Sequence, residues 1–237
     1  MKAKYLLMTL PLLLSSCVLD MEYDADEFDG KILPRITGYS GISQETNDWI
    51  YFNLRTGEVF NRNYAGEDIR EDGRYDRTDW DLAFCGYHLR TNSGTSGCGK
   101  GGAIDLGQGN YKGWTRVSQI PAGAEWVTDN DNSVYVTYSQ KDWQSYVLRQ
   151  GWELDDYPWF DPNSGPQRTL TSANPLLENA IVLSGPPMTY TPNYHTYVIR
   201  TADGGRYFKL QIVSWYNTYT EIDDSGGELS YYIDELQ

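Results

Sequence analysis

The chain has 237 residues, with 33 Asp and Glu against 19 Lys and Arg and a formal charge of −14. Such a balance lacks the basic footprint that grips a phosphate backbone, which argues against nucleic acid as a partner and against anionic headgroups. Hydrophobic residues make up 40%, including 20 Tyr and 8 Trp, enough for a real core, while 23 Gly and 10 Pro break helices and favour short strands joined by turns.

Residues 1–16 read as a signal segment. Lys2 and Lys4 precede the apolar run Tyr5–Leu14, which suits a signal peptide and is too short to span a bilayer. Leu14-Ser15-Ser16-Cys17 resembles the bacterial lipobox, in which the cysteine is lipidated and becomes the first mature residue. Lipidation of Cys17 would anchor the chain to a membrane rather than thread it through one. Residues 17–46 then form the lipidated N-terminus and an acidic tether. Its run Val18–Asp29 resembles the surface-export signal of Bacteroidota lipoproteins, or is a plain solvated linker.

Residues 47–237 read as one β domain. Strands are expected at Trp49–Leu54, Asp79–Arg90, Val134–Tyr138, Ala180–Leu183, Thr196–Arg200, Arg206–Trp215 and Glu228–Ile233. Ala202-Asp203-Gly204-Gly205 separates two of these runs and predicts a hairpin, and Asp224-Ser225-Gly226-Gly227 marks a turn before the last strand. Trp143, Tyr146 and Val147 recur at helical spacing within Ser139–Gln150, which predicts a short helix, and Asn174–Asn179 suits another helical turn. Cys85 and Cys98 flank the segment Gly86–Gly97. In an oxidising compartment they are expected to pair as a disulfide, the alternative being two free thiols.

Motifs for catalysis are weak. Gly94–Gly101 approaches a P-loop, but Gly101 stands where Ser or Thr must hold magnesium. Paired acids such as Asp155-Asp156 and Asp223-Asp224 show no opposition across a substrate, and Gly-x-Ser-x-Gly is absent. Asp129-Asn130-Asp131-Asn132 lacks the spacing of a calcium loop and reads as a turn. His88 falls among Trp80, Leu82 and Phe84 by strand alternation and reads as a packed histidine, while His195 opens a strand. The expectation is a protein without enzymatic activity or a bare metal site. The cluster Trp143, Trp152, Tyr157, Trp159 and Phe160 suits either a core or a flat ligand platform. Gly185-Pro186-Pro187-Met188 presents a thioether on a stiff loop, suited to gap filling or to haem iron.

Asp79-Trp80-Asp81-Leu82-Ala83-Phe84, Arg90-Thr91-Asn92, Ser93–Ala103, Tyr197–Gly204 and Lys209-Leu210-Gln211 together resemble the HmuY family of Bacteroidota lipoproteins. With Trp49–Phe52 and Leu229–Tyr232, the likeness runs through residues 47–237. It implies an all-β, mostly antiparallel single domain with one or two short helices, exposed at the outer membrane. It also implies haem capture with transfer to a TonB-dependent receptor, the iron being held by two side chains. One ligand segment precedes Tyr197–Arg200, where this chain offers Met188. The other corresponds to Tyr138–Gln150, which contains neither His nor Met. Met188 is therefore the expected ligand and His195 a second candidate, with Trp143, Tyr146 and Trp152 as haem contacts. His88 from another position, or an oxygen of Tyr138 or Tyr146, are the other ligand options. The competing reading is the same fold binding a glycan, peptide or protein partner through its aromatics. If Cys17 is the anchor, globomycin should leave the precursor unprocessed and Cys17→Ala should release or mislocalise the protein. Fractionation and immunoblotting check this, and unchanged processing and location in both would refute it.

Overall fold

The computed structural model describes residues 28–33, 42–43, 49–61, 69, 73–187, 189–215 and 229–237. The signal segment, Cys17, most of the tether, Met188 and the 224–227 turn lie outside the described residues.

In chain order the strands are β1 (Lys31–Ile32), β2 (Ile42–Ser43), β3 (Ile50–Asn53), β4 (Glu58–Phe60), β5 (Leu82–Cys85), β6 (His88–Thr91), β7 (Gly102–Gln108) and β8 (Asn130–Thr137). Helix α1 (Gln140–Arg149) follows, then β9 (Phe160–Asp161), β10 (Gly165–Pro166), β11 (Arg168–Ala173), β12 (Ile181–Ser184), β13 (Thr189–Pro192), β14 (His195–Arg200), β15 (Tyr207–Ser214) and β16 (Ser230–Glu235). They form a five-stranded sheet β1-β16-β15-β14-β7, a four-stranded sheet β4-β3-β5-β6, a three-stranded sheet β11-β8-β2 and the hairpins β9-β10 and β12-β13. Only β2 and β8 pair in parallel among the described strands. The protein is thus all-β and mostly antiparallel, with one short α-helix among the described residues. The expected second helical turn is a 3₁₀ turn at Leu177–Ala180.

The four-stranded sheet is buried on both faces. Ile50, Leu82, Phe84 and Leu89 pack with Ala103, Tyr197, Ile199, Leu210 and Tyr231 of the five-stranded sheet. Between them, on the alternate positions, Trp49, Tyr51, Ala83 and Cys85 pack with Trp80, Val134 and Ala173 towards the three-stranded sheet. This two-sided burial explains why β5 reads Leu-Ala-Phe-Cys, with no polar alternation.

The Asp203-Gly204 hairpin forms as expected, with Tyr197 opposite Leu210 and Arg200 opposite Tyr207. Asp203 Oδ1 accepts from Thr201 Oγ1 at 2.6 Å and Gly205 N at 2.9 Å, and Gly204 takes φ +78°.

Three expectations need correction. Asp79–Arg90 is not one strand: Gly86, at φ +60°, reverses the chain and sets Cys85 opposite His88. His88 therefore does not alternate with Trp80, Leu82 and Phe84. Asp129–Asn132 is not a turn, because Asn130 opens β8. Nor does the Cys85–Cys98 disulfide form. Cys85 points into the aromatic layer around Trp49 and Trp80, whereas Cys98 is exposed on the glycine loop.

That loop is wound on Asn92. The Asn92 amide donates to Arg77 O and Trp80 O, both at 2.8 Å, and accepts from Gly99 N at 3.0 Å. Its backbone N–H donates to Asp81 O at 3.1 Å and its carbonyl accepts from Gly101 N at 2.9 Å. A Cβ on Gly97, Gly99 or Gly101 would overlap Asn92, so these glycines are a packing requirement. Buried charges surround it. Asp81 accepts from Ala202 N at 2.7 Å and Leu54 N at 2.8 Å. Arg90 donates to Tyr51 Oη at 2.8 Å, Ser172 O at 3.0 Å and Thr171 Oγ1 at 3.1 Å, and lies 3.5 Å from the Trp49 ring centroid. Asp129 accepts from Thr91 N at 2.9 Å, Thr91 Oγ1 at 2.6 Å and Asn174 Nδ2 at 2.9 Å.

Burial pushes the Asp129 carboxyl up to about 6 even though Thr91 and Asn174 donate to its ionised form. Its folded value exceeds the unfolded one, so the folded state binds more protons between roughly pH 4 and pH 6. The contribution is therefore most favourable below about pH 4 and is lost as pH rises through about 6, a span of about 3 kcal/mol. In urea melts, Asp129→Asn should remove this slope, so that the gap between the two proteins shifts towards wild type as pH falls from about 6 to about 4. A gap independent of pH would mean that the carboxyl stays ionised throughout.

Candidate functional site

Helix α1 gathers the predicted aromatics by its own spacing. Trp143 and Val147 are buried on one face, and Tyr146 flanks them half-buried. The helix ends in a Schellman cap: Trp152 N donates to Val147 O and Gly151 N to Leu148 O, each at 3.1 Å, with Gly151 at φ +73°. This cap turns Trp152 back onto the last turn, edge-on to Tyr146 with centroids 6.0 Å apart. Trp152 then stacks on Tyr157 at 4.5 Å, while Tyr146 stacks on Trp143 at 5.3 Å and meets Tyr138 at 5.4 Å. Trp143 Nε1 donates to Tyr157 O at 2.8 Å and Trp159 Nε1 to Tyr138 O at 2.7 Å, which pins the following loop to the helix.

The outer side of this cluster is open. Leu148, Trp152, Leu154, Tyr157 and Phe160 are all exposed within one short segment. This concentration of exposed apolar side chains makes the segment a candidate binding face. Thus Trp143, Tyr146 and Trp152 come together as expected, with Trp143 as buried support and Trp152 as rim. Tyr138 is tied through its hydroxyl to Thr169 Oγ1 at 3.1 Å.

The histidines sit elsewhere. His195 lies where β14 pairs with β7, its Nδ1 2.8 Å from Asp105 Oδ2. His88 Nδ1 lies 2.7 Å from Glu178 Oε2. A carboxylate can only accept, so in the neutral ring Nδ1–H donates and Nε2 keeps its lone pair, the arrangement that supports metal-ligating imidazoles. Among the described residues, no three metal-binding side chains converge.

A second aromatic group escaped the sequence reading. Tyr190, on β13, stacks on Trp215 at 5.2 Å, and Tyr87 meets both, at 5.7 Å and 5.4 Å. His88 lies against Tyr87, with centroids 4.2 Å apart. The β12–β13 hairpin therefore meets Tyr87, the neighbour of His88, at Tyr190 close to its tip, where the Ser184 and Thr189 hydroxyls lie 2.6 Å apart. His195 lies beyond Pro192, past the opposite end of that hairpin. Only the Gly86 reversal could have revealed the link between Tyr87 and Tyr190.

A family model described as HmuY protein matches residues 45–231. The chain belongs to the HmuY family. No curated protein sequence matches it. Among solved structures, the apo HmuY analogue of Tannerella forsythia is similar with a TM-score of 0.50 at 18% identity, over 89% of this chain and 100% of that one. Apo PinO from Porphyromonas gingivitis gives 0.52 at 14%, over 89% and 98%. A candidate lipoprotein from Bacteroides fragilis gives 0.50 at 18%, over 79% and 83%. These likenesses establish a shared fold. HmuY proteins form a family of binding lipoproteins rather than of enzymes.

The Schellman cap is what holds the rim of the aromatic face in place. Gly151→Ala would force a side chain into the left-handed region, at a cost of about 1 kcal/mol. The space around Gly151 is open, so the cost should be local. Near-UV circular dichroism should lose part of its tryptophan signal while far-UV spectra stay unchanged. An unaltered near-UV spectrum would show that the cap does not position Trp152.

Proposed function

We propose that this protein binds haem at the cell surface, anchored in the outer membrane through lipidated Cys17, and passes it to a TonB-dependent receptor without catalysis. The observation that carries this reading is the HmuY match across residues 45–231. The aromatic face beside α1 suits such a ligand: a flat macrocycle buries its own apolar faces against the exposed rings of Trp152 and Tyr157. Bound haem would supply the iron, and Met188 after the diproline is the side chain assigned to hold it, with Tyr146 and Trp152 as ring contacts and buried Trp143 supporting them. Thioether sulfur is a soft donor and favours ferrous iron. Of the two histidines, His88 has the stronger support as the opposite ligand, because its neighbour Tyr87 touches the β13 hairpin. His195 is the second candidate.

Titration of the purified protein with haem, in air and under dithionite, tests the reading. The Soret band should shift, binding should tighten on reduction, and Met188→Ala should weaken it by roughly tenfold or more, the scale of supporting contacts around a bound metal. His88→Ala and His195→Ala, measured alongside, identify the partner ligand. Spectra of free haem in both oxidation states would end the haem reading, and equal affinity of wild type and Met188→Ala would remove Met188 from it.

A further inference from the structure

A second concavity lies on the outer face of the five-stranded sheet, built from none of the residues assigned to haem. Its volume is about 630 Å³, within the range of small-molecule sites. Strand alternation floors it. Lys209 and Gln211 of β15 stand opposite Asp234 and Tyr232 of β16, while the intervening Leu210 is buried in the core and its partner Ile233 packs partly against it. The 3₁₀ turn Tyr111–Gly113, entered through Asn110, forms one wall.

The polar groups in this cleft are already balanced. Lys209 is 7% exposed, donates to Tyr111 O at 3.1 Å, lies 4.1 Å from the Tyr111 ring centroid and 3.7 Å from Asp234. The Tyr111 hydroxyl donates to Asp234 Oδ2 at 2.9 Å. Burial, reinforced by this bond to Asp234, raises the Tyr111 phenol far above its ordinary value and keeps it neutral. Asp29 and Asp234 offset two of the three lysines that line the cleft, Lys31, Lys112 and Lys209, so it carries little net charge to attract an anion. It offers instead ammonium and amide donors, carboxylate and phenol acceptors, and the paired rings of Tyr111 and Tyr232, 5.5 Å apart. Donors and acceptors interleaved along aromatic faces suit a ligand whose hydroxyls do both jobs and whose ring faces are C–H rich.

We propose that this cleft binds a neutral saccharide. The full chain, applied to a glycan array, should retain neutral oligosaccharides. Tyr232→Ala and Asp234→Asn, the latter on a side chain that is 63% exposed, should each weaken retention by roughly tenfold, while far-UV circular dichroism and haem titration stay as in wild type. An array without hits overturns the proposal. So does retention confined to sialylated or sulfated glycans, or binding unchanged in both variants. Failure of haem binding alone would leave the cleft intact, and the reverse also holds.

Discussion

The fold depends on a buried polar knot centred on Asn92. Its amide closes the glycine loop against Trp80 and Arg77, and its backbone ties that loop to Asp81. Asn92 itself is fully buried, so losing one of these partners would leave a buried donor or acceptor unpaired, at about 1–3 kcal/mol. Asp81 extends the knot to the five-stranded sheet through Ala202 N, and Lys100 N returns a bond to Ala202 O. Arg90 and Asp129 extend it the other way, to β11 and to Asn174 just beyond it. Hydrophobic contact gives the sheets their adhesion, but these directional bonds specify how the sheets register.

This knot also explains what the P-loop-like run is for. Gly94 takes φ +54° against the Asp129 backbone, and Gly97, Gly99 and Gly101 close on Asn92. Every glycine in that series answers to a neighbouring protein atom, so the run is scaffold and not a phosphate cradle. The residues by which the sequence resembles the HmuY family, from Asp79 to Ala103 and from Tyr197 to Gly204, are largely members of the same knot or its flanking strands.

How far the sequence was legible follows from where each signal is local. The Asp203-Gly204 hairpin and the Trp143-Tyr146-Val147 helix depend on neighbours within a few residues, and both were readable. Strand β7 was hidden because its start continues a glycine run, and β11 because its residues Arg168–Ala173 show no clean alternation. The turn at Gly86 was masked by apolar residues on both sides, and with it the partnership of Tyr87 and Tyr190. The expected disulfide failed for a long-range reason: Cys85 serves the two-sided core, a fact that spacing between cysteines cannot carry. For the candidate site, the ring cluster was legible as composition and helical spacing, whereas the Glu178–His88 and Asp105–His195 pairs join residues ninety positions apart.

Scaffold and candidate site therefore occupy different parts of the chain. The knot binds three sheets at the centre, while the exposed Trp152, Tyr157 and Phe160 follow α1 and the exposed Val182 and Leu183 lie on the β12–β13 hairpin, all outside the knot. Substitution in those segments leaves the Asn92 bonds untouched. The fold keeps its architecture at 14–18% identity. The glycine loop closes on Asn92 as scaffold, and the segment from Tyr138 to Gln150, which holds neither His nor Met, makes none of those bonds. That separation directs mutational tests: changes near Asn92 report on folding, whereas changes in the peripheral segments, at the two histidines or in the cleft of β15 and β16 report on what is bound.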